Sequence, residues 1–183
     1  AIAMQRIADQ VFNHAGHPGV MSMVVGTDAD VGEAMIHDKR LPLISATGSC
    51  RMGRHVGTVV AQRLGRSLLE LGGNNAIVVE ESADLELAMR AIVFGAVGTA
   101  GQRCTSTRRV MAHRSIATQL RDRVAAAYGT VAIGDPLADG TLMGPLIDAD
   151  AVAGYVAAIE QAVAQGGQIV AGGKALTDRP GFY

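Results

Sequence analysis

The stretch Leu41-Pro42-Leu43-Ile44-Ser45-Ala46-Thr47-Gly48-Ser49-Cys50-Arg51-Met52-Gly53 decides the fold class. Leu41 to Ala46 is an apolar run of strand length, and Thr47-Gly48-Ser49 is a turn. From about Arg51 to Leu64 the pattern is helical. A strand that passes through a glycine turn straight into a helix is the unit of a parallel sheet with crossover helices. Toward the N-terminus, residues 28–37 read as a short helix that Asp28 or Asp30 could cap, and residues 20–25 as a short strand. Met4, Ile7, Ala8, Val11 and Phe12 form one face of a first helix, which Pro18-Gly19 breaks.

The alternation continues toward the C-terminus in longer units. Residues 67–71 and 76–79 read as strands around Gly72-Gly73-Asn74-Asn75, followed by a helix from near Asp84 with the stripe Leu85, Ala88, Met89, Ile92, Ala96. Residues 108–113 are strand-like, and Ile116, Leu120, Val124 and Ala127 mark a helix with Ser115 as its expected N-cap. A long helix carrying Val152, Tyr155, Val156, Ile159 and Val163 stops at Gly166-Gly167, ahead of an expected strand over 168–171. The class is α/β, with a change of domain near Leu71.

Composition bounds the function. The chain has 183 residues with a net charge of −1, from 16 Lys+Arg against 17 Asp+Glu, so neither a nucleic-acid scaffold nor a polybasic membrane protein is indicated. A hydrophobic fraction of 49% against 18% charged excludes disorder and predicts a sizeable core. Two cysteines, Cys50 and Cys104, make no disulfide framework, which fits a reducing, cytoplasmic setting. No apolar run has the length of a membrane span. His14 and His17 lack the companions of a metal site, and no metal is expected.

Three places could carry chemistry. Gly48-Ser49 precedes a helix, whose unpaired N–H groups and dipole suit a phosphate; a plain glycine turn with a serine cap explains the same residues. Glu70 ends an apolar strand, where burial would raise its pKa into the range of a general base. An exposed strand-end carboxylate is the plainer reading. Gly98-Thr99-Ala100-Gly101-Gln102-Arg103-Cys104-Thr105 sets a cysteine in a glycine-rich loop beside an arginine that favours the thiolate, and the cysteine's own N–H could hold an oxyanion. A structural cysteine is the alternative.

Taken in order, Thr47-Gly48-Ser49 with Gly53, Glu70-Leu71-Gly72-Gly73, Gly101-Gln102-Arg103-Cys104, and Gly134-Asp135-Pro136 with Gly144-Pro145-Leu146 resemble the motifs of the aldehyde dehydrogenase superfamily along nearly all of the chain. Asn74-Asn75, Gly98-Thr99-Ala100 and Asp178-Arg179-Pro180-Gly181 resemble its antiquitin branch, whose members oxidise α-aminoadipic semialdehyde, the open form of piperideine-6-carboxylate, in lysine catabolism.

The resemblance implies an aldehyde dehydrogenase fold: residues 1–71 as the C-terminal half of a Rossmann-like NAD-binding domain, residues 72–183 as the N-terminal half of a catalytic domain. It implies Cys104 as nucleophile, through a thiohemiacetal and a thioester, and Glu70 as the base that activates the hydrolytic water. Gly48 and Ser49 fall at the pyrophosphate of NAD, Gly32 at a backbone contact to the cofactor, and Leu71 at a carbonyl contact to the nicotinamide. Arg103 and Thr105 fall at the substrate. Its implied partners are a small aldehyde and other copies of the full-length protein, as a homodimer or homotetramer, without nucleic acid or membrane. Cys50 stands where the family usually has Thr and Ala46 where Phe is common.

Other readings keep the fold and change the aldehyde to betaine or succinic semialdehyde, or make the chain a truncated module without catalysis. A cofactor-free cysteine hydrolase using Cys104 and Glu70 lacks a positioned histidine. The chain opens at Ala1 within a helical pattern and closes at Pro180-Gly181-Phe182-Tyr183. The upstream oxyanion amide and ribose lysine, the downstream Glu-x-Phe-Gly-Pro stretch and the oligomerisation strands have no match. The expectation is a central fragment, inactive in isolation.

Overall fold

The computed structural model describes residues 1–183, which divide into two compact units, Ala1–Leu71 and Gly72–Tyr183. Each is a two-stranded parallel sheet with a crossover helix.

In the first unit, β1 (Leu43–Gly48) pairs with β2 (Arg66–Leu71), from Leu43 opposite Arg66 to Gly48 opposite Leu71. Three helices accompany them: α1 (Ile2–His14), α2 (Glu33–His37) and α3 (Cys50–Gln62). The crossover is α3, and its Val56, Val59 and Val60 close a buried cluster with Ile36 of α2 and Ile44 of β1. Burial of such side chains contributes roughly 1.5–3 kcal/mol each. Arg63, just past α3, donates from Nε to the Ile36 carbonyl at 2.7 Å and from Nη2 to the Leu41 carbonyl at 2.8 Å, tying the helix end to the connection ahead of β1. That helix end closes with the Gly65 N–H on the Val60 carbonyl and the Leu64 N–H on that of Ala61. The closure puts Leu64 at φ 60, a position that favours glycine.

In the second unit, β3 (Asn75–Val79) pairs with β4 (Thr107–Ala112) across α4 (Leu85–Val97). Asp84 caps α4, its Oδ1 accepting from the N–H groups of Glu86 and Leu87. Val79, Ile92 and Leu120 are the buried centre, Leu120 coming from α5 (Ala117–Tyr128). The helix α6 (Ala149–Ala164) starts at Asp148, whose Oδ1 accepts from the Ala151 N–H at 2.8 Å.

Four expectations are corrected. Residues 20–25 and 168–171 form no strand, because each sheet has two strands and neither segment has a backbone partner there. The helix expected over 28–37 begins as a π-helical turn, Asp28–Gly32, and its cap is Thr27, whose Oγ1 accepts from the Asp30 N–H. Ser115 does not cap α5; its hydroxyl is engaged by His113 and Glu81 instead. The core is smaller than the composition suggests: Ile2, Met4, Ile7 and Val11 of α1, with Val24 and Val25, are exposed.

Candidate active site residues

The first unit holds the cofactor-type turn. Ser49 has extended backbone, and its hydroxyl oxygen accepts from the Met52 N–H at 3.1 Å, an N-cap for the 13-residue α3. The capped end presents the positive pole of α3 beside Gly48. Gly53 is buried, and any Cβ there would collide with the Leu71 side chain, so its bareness lets the end of β2 lie on α3. Next to this turn is a cleft of about 500 Å³, walled by Ile36, Ile44, Ala46, Met52 and Val56, with Gly32 at its edge. At the same cleft Glu33 Oε1 lies 2.7 Å from His55 Nε2, joining α2 to α3. Apolar walls beside a helix N-terminus match the needs of a nucleotide: a dry slot for a flat ring and a positive pole for its phosphates.

Glu70 is exposed on β2, opposite Thr47 of β1. The burial expected of this carboxylate is absent in this unit, so the case for Glu70 as a base rests on its motif.

The second unit holds the cysteine, and its loop is strained. Thr99 (φ 55), Ala100 (φ 51) and Gly101 (φ 71) are three consecutive left-handed residues, which costs roughly 1–2 kcal/mol for each non-glycine. They feed a four-residue turn, Arg103-Cys104-Thr105-Ser106, closed by the Ser106 N–H on the Arg103 carbonyl at 3.1 Å. Cys104 and Thr105 are its exposed central residues, and neither Cys104 nor the exposed Cys50 forms a disulfide. Ser106 is only 2% exposed, and its hydroxyl accepts from the Arg103 N–H at 3.1 Å. The Arg103 guanidinium lies over the Phe94 ring, 5.4 Å from the centroid, and packs on bare Gly98. Its Nε is buried without a hydrogen-bond partner.

Sequence reasoning missed the residues that hold this loop. Gln102 accepts from the Ile147 N–H at 3.0 Å and reaches the Pro145 carbonyl at 3.4 Å, which physically joins the Gly-Gln-x-Cys and Gly-Pro-Leu motifs. Asn75 donates to the carbonyls of Cys104 and Ser106. The signal in the sequence is the pair Asn74-Asn75, part of the resemblance to the antiquitin branch. No group of three or more His, Cys, Asp or Glu residues could hold a metal, and no helix is long and apolar enough to cross a membrane.

A strand–turn–helix with an apolar cleft, a Glu-Leu-Gly-Gly strand end and a strained glycine loop bearing cysteine are the parts of one kind of protein. Residues 2–183 match the model of the aldehyde dehydrogenase family, and the chain belongs to that family. Among curated relatives, it is 45% identical over 183 residues to mouse (Mus musculus) alpha-aminoadipic semialdehyde dehydrogenase, covering 100% of this chain and 34% of the relative. It is 47% identical over 187 residues to a putative aldehyde dehydrogenase family 7 member A1 homolog of Caenorhabditis elegans, covering 100% and 35%. The chain thus spans about a third of the length of the curated relatives it matches.

Among solved structures, a lactaldehyde dehydrogenase superposes with a TM-score of 0.92 at 34% identity, covering 100% of this chain and 38% of its own. Betaine aldehyde dehydrogenase of Staphylococcus aureus, solved with NAD⁺, gives 0.86 at 27%, covering 93% and 34%. These neighbours carry the aldehyde dehydrogenase fold, and this chain has it.

Proposed function

We propose that this chain contributes the nucleophile, the base and half of the cofactor cleft to an NAD-dependent oxidation of an aldehyde to its acid, with α-aminoadipic semialdehyde as the substrate. The observation that carries the reading is the cysteine turn: an exposed Cys104 in a turn whose Arg103 and Ser106 ends and Cys104 carbonyl are hydrogen-bonded, in a chain 45% identical to an enzyme named for that aldehyde. On this reading residues 1–71 are the C-terminal half of the cofactor domain and residues 72–183 the N-terminal half of the catalytic domain.

The Cys104 thiolate adds to the aldehyde carbon, and the carbonyl oxygen becomes an oxyanion that the Cys104 N–H stabilises. Such a donor typically contributes about 10²–10³ in rate. NAD⁺, when bound, would supply the hydride acceptor, and loss of hydride from the Cys104 thiohemiacetal would leave a thioester on Cys104. Glu70 takes a proton from water, the hydroxide attacks the thioester carbonyl, and the thiolate of Cys104 leaves with release of the carboxylic acid. Ser49 and Gly48 would hold the pyrophosphate at the start of α3, Gly32 would give a backbone contact to the cofactor, and the Leu71 carbonyl would contact the nicotinamide. Arg103 and Thr105, flanking the nucleophile, receive the amino-acid end of the substrate, where the guanidinium pairs with its carboxylate.

The test is formation of NADH from NAD⁺ and α-aminoadipic semialdehyde by the full protein, beside a panel of betaine aldehyde and succinic semialdehyde. Turnover with α-aminoadipic semialdehyde that Cys104→Ala abolishes supports the reading. Preference for another aldehyde of the panel overturns the substrate, and turnover surviving Cys104→Ala overturns the nucleophile.

A further inference from the structure

We infer that Asn75 is a positioning residue for the nucleophile: its side-chain amide clamps the backbone of the Cys104 turn from β3. The inference rests on the reading of Cys104 above. Asn75 Nδ2 lies 2.6 Å from the Cys104 carbonyl oxygen and 3.0 Å from the Ser106 carbonyl oxygen. Both neighbours are acceptors only, so the amide must turn its nitrogen toward them, and each of its two N–H bonds has a partner. The two carbonyls flank Thr105, so one side chain fixes both ends of the segment that follows the thiol. From within the turn, Ser106 does the rest, linking its N–H and its hydroxyl to the backbone of Arg103.

The clamp is itself held. Between Asn75 and Ala76 the register shifts, Asn75 pairing with Thr107 and Ala76 with Arg109, which leaves Arg108 as an extra residue in β4. Arg108 Nε then donates to the Gly73 carbonyl at 3.2 Å, and Arg109 Nη2 to the Asn74 carbonyl at 2.8 Å. The two residues before Asn75 are thereby gripped by the two residues after Thr107. Gly73 has its own part: a Cβ there would come 3.0 Å from Asn75 Oδ1, so the amide would have to give by a few tenths of an ångström. The second glycine of Glu-Leu-Gly-Gly thus leaves space for the clamp.

A nucleophile whose backbone is fixed keeps its thiol and its N–H aimed together, and misplacement by about 1 Å can cost on the order of 10²-fold in rate. The test compares Asn75→Ala with Asn75→Asp in the full protein. The aspartate keeps the shape but sets a carboxylate against two carbonyls. Both variants are expected to lower kcat about 10- to 100-fold with aldehyde and NAD⁺ KM within about twofold. Both are also expected to speed hydrogen exchange of the amides of residues 103–106 while leaving those of Val78 and Val79 protected. Unchanged exchange at residues 103–106 in Asn75→Asp overturns the clamp, whatever the activity. Faster exchange with unchanged kcat overturns its bearing on the nucleophile. If Asn75→Ala fails to fold, Asn75→Asp alone decides by the same two readings. A parent protein that turns over without Cys104 fails the reading of the nucleophile instead, and that result is visible before any Asn75 variant is made.

Discussion

The turn at Gly48-Ser49, proposed to take the cofactor's phosphates, and the turn at Cys104, proposed to carry the nucleophile, are held by opposite means. The first is local: Ser49 caps a helix three residues on, Gly53 makes room for Leu71, and the fold of β1 into α3 does the rest. The second is held from far along the chain, by Asn75 some 29 residues before Cys104 and by Ile147, 45 residues after Gln102, and it stores left-handed backbone at Thr99 and Ala100. A phosphate needs only a helix end, which any strand–turn–helix provides. A nucleophile needs one backbone geometry, and a strained one persists only when its surroundings over-determine it.

Cys104→Ala gives the largest effect separating the two turns. Turnover should fall at least about 10³-fold while NAD⁺ affinity, measured by calorimetry, stays unchanged, because the proposed cofactor contacts at Gly48 and Ser49 do not include Cys104. Next is Ser106→Ala. It strips a buried acceptor from the Arg103 N–H and should destabilise the protein by about 2 kcal/mol in urea titrations, with loss of activity beyond the loss of folded protein. Ser49→Ala should cost about 1 kcal/mol, the usual worth of a cap, and weaken NAD⁺ binding while sparing alkylation of Cys104. If Ser106→Ala proved no worse than Ser49→Ala, the contrast between a buried and an exposed turn anchor would fail.

Backbone strain gives a subtler separation. Leu64 is left-handed at a helix end and 94% exposed, so Leu64→Gly should stabilise the chain by about 1 kcal/mol without touching activity. The same relief at Ala100→Gly should loosen the cysteine turn and lower kcat. The smallest effect is at Asp38, where hydrogen bonds from the side chain and backbone of Arg40 hold the carboxyl at about 2, below its ordinary 3.8. Its contribution to stability is complete above pH 3.8 and is lost as the pH falls through about 2. An NMR titration of Asp38 should return toward 3.8 in Arg40→Ala.

The same contrast explains what the sequence made legible. Periodicity located β1, α3, β2, β3, α4 and β4 within a few residues, because each buries a face against a neighbour close in the chain. It misread residues 20–25 and 168–171, whose apolar pattern is that of a strand but which pair with neither sheet. Capping at Ser49, Asp84 and Asp148 was within reach of local reading, whereas Ser115 was misassigned because its hydroxyl serves His113 and Glu81. The functional motifs were legible as motifs. What joins Asn75 to the Cys104 turn was not, since a side-chain bond across about 30 residues leaves no periodic trace.

The most direct test of Cys104 as the covalent centre is rapid-quench mass spectrometry of the Glu70→Gln protein mixed with NAD⁺ and α-aminoadipic semialdehyde. With the proposed water-activating base removed, a stoichiometric acyl adduct should accumulate on the peptide containing Cys104, in step with one equivalent of NADH. An NADH burst with no adduct on Cys104, or an adduct on Cys50 instead, would contradict the account.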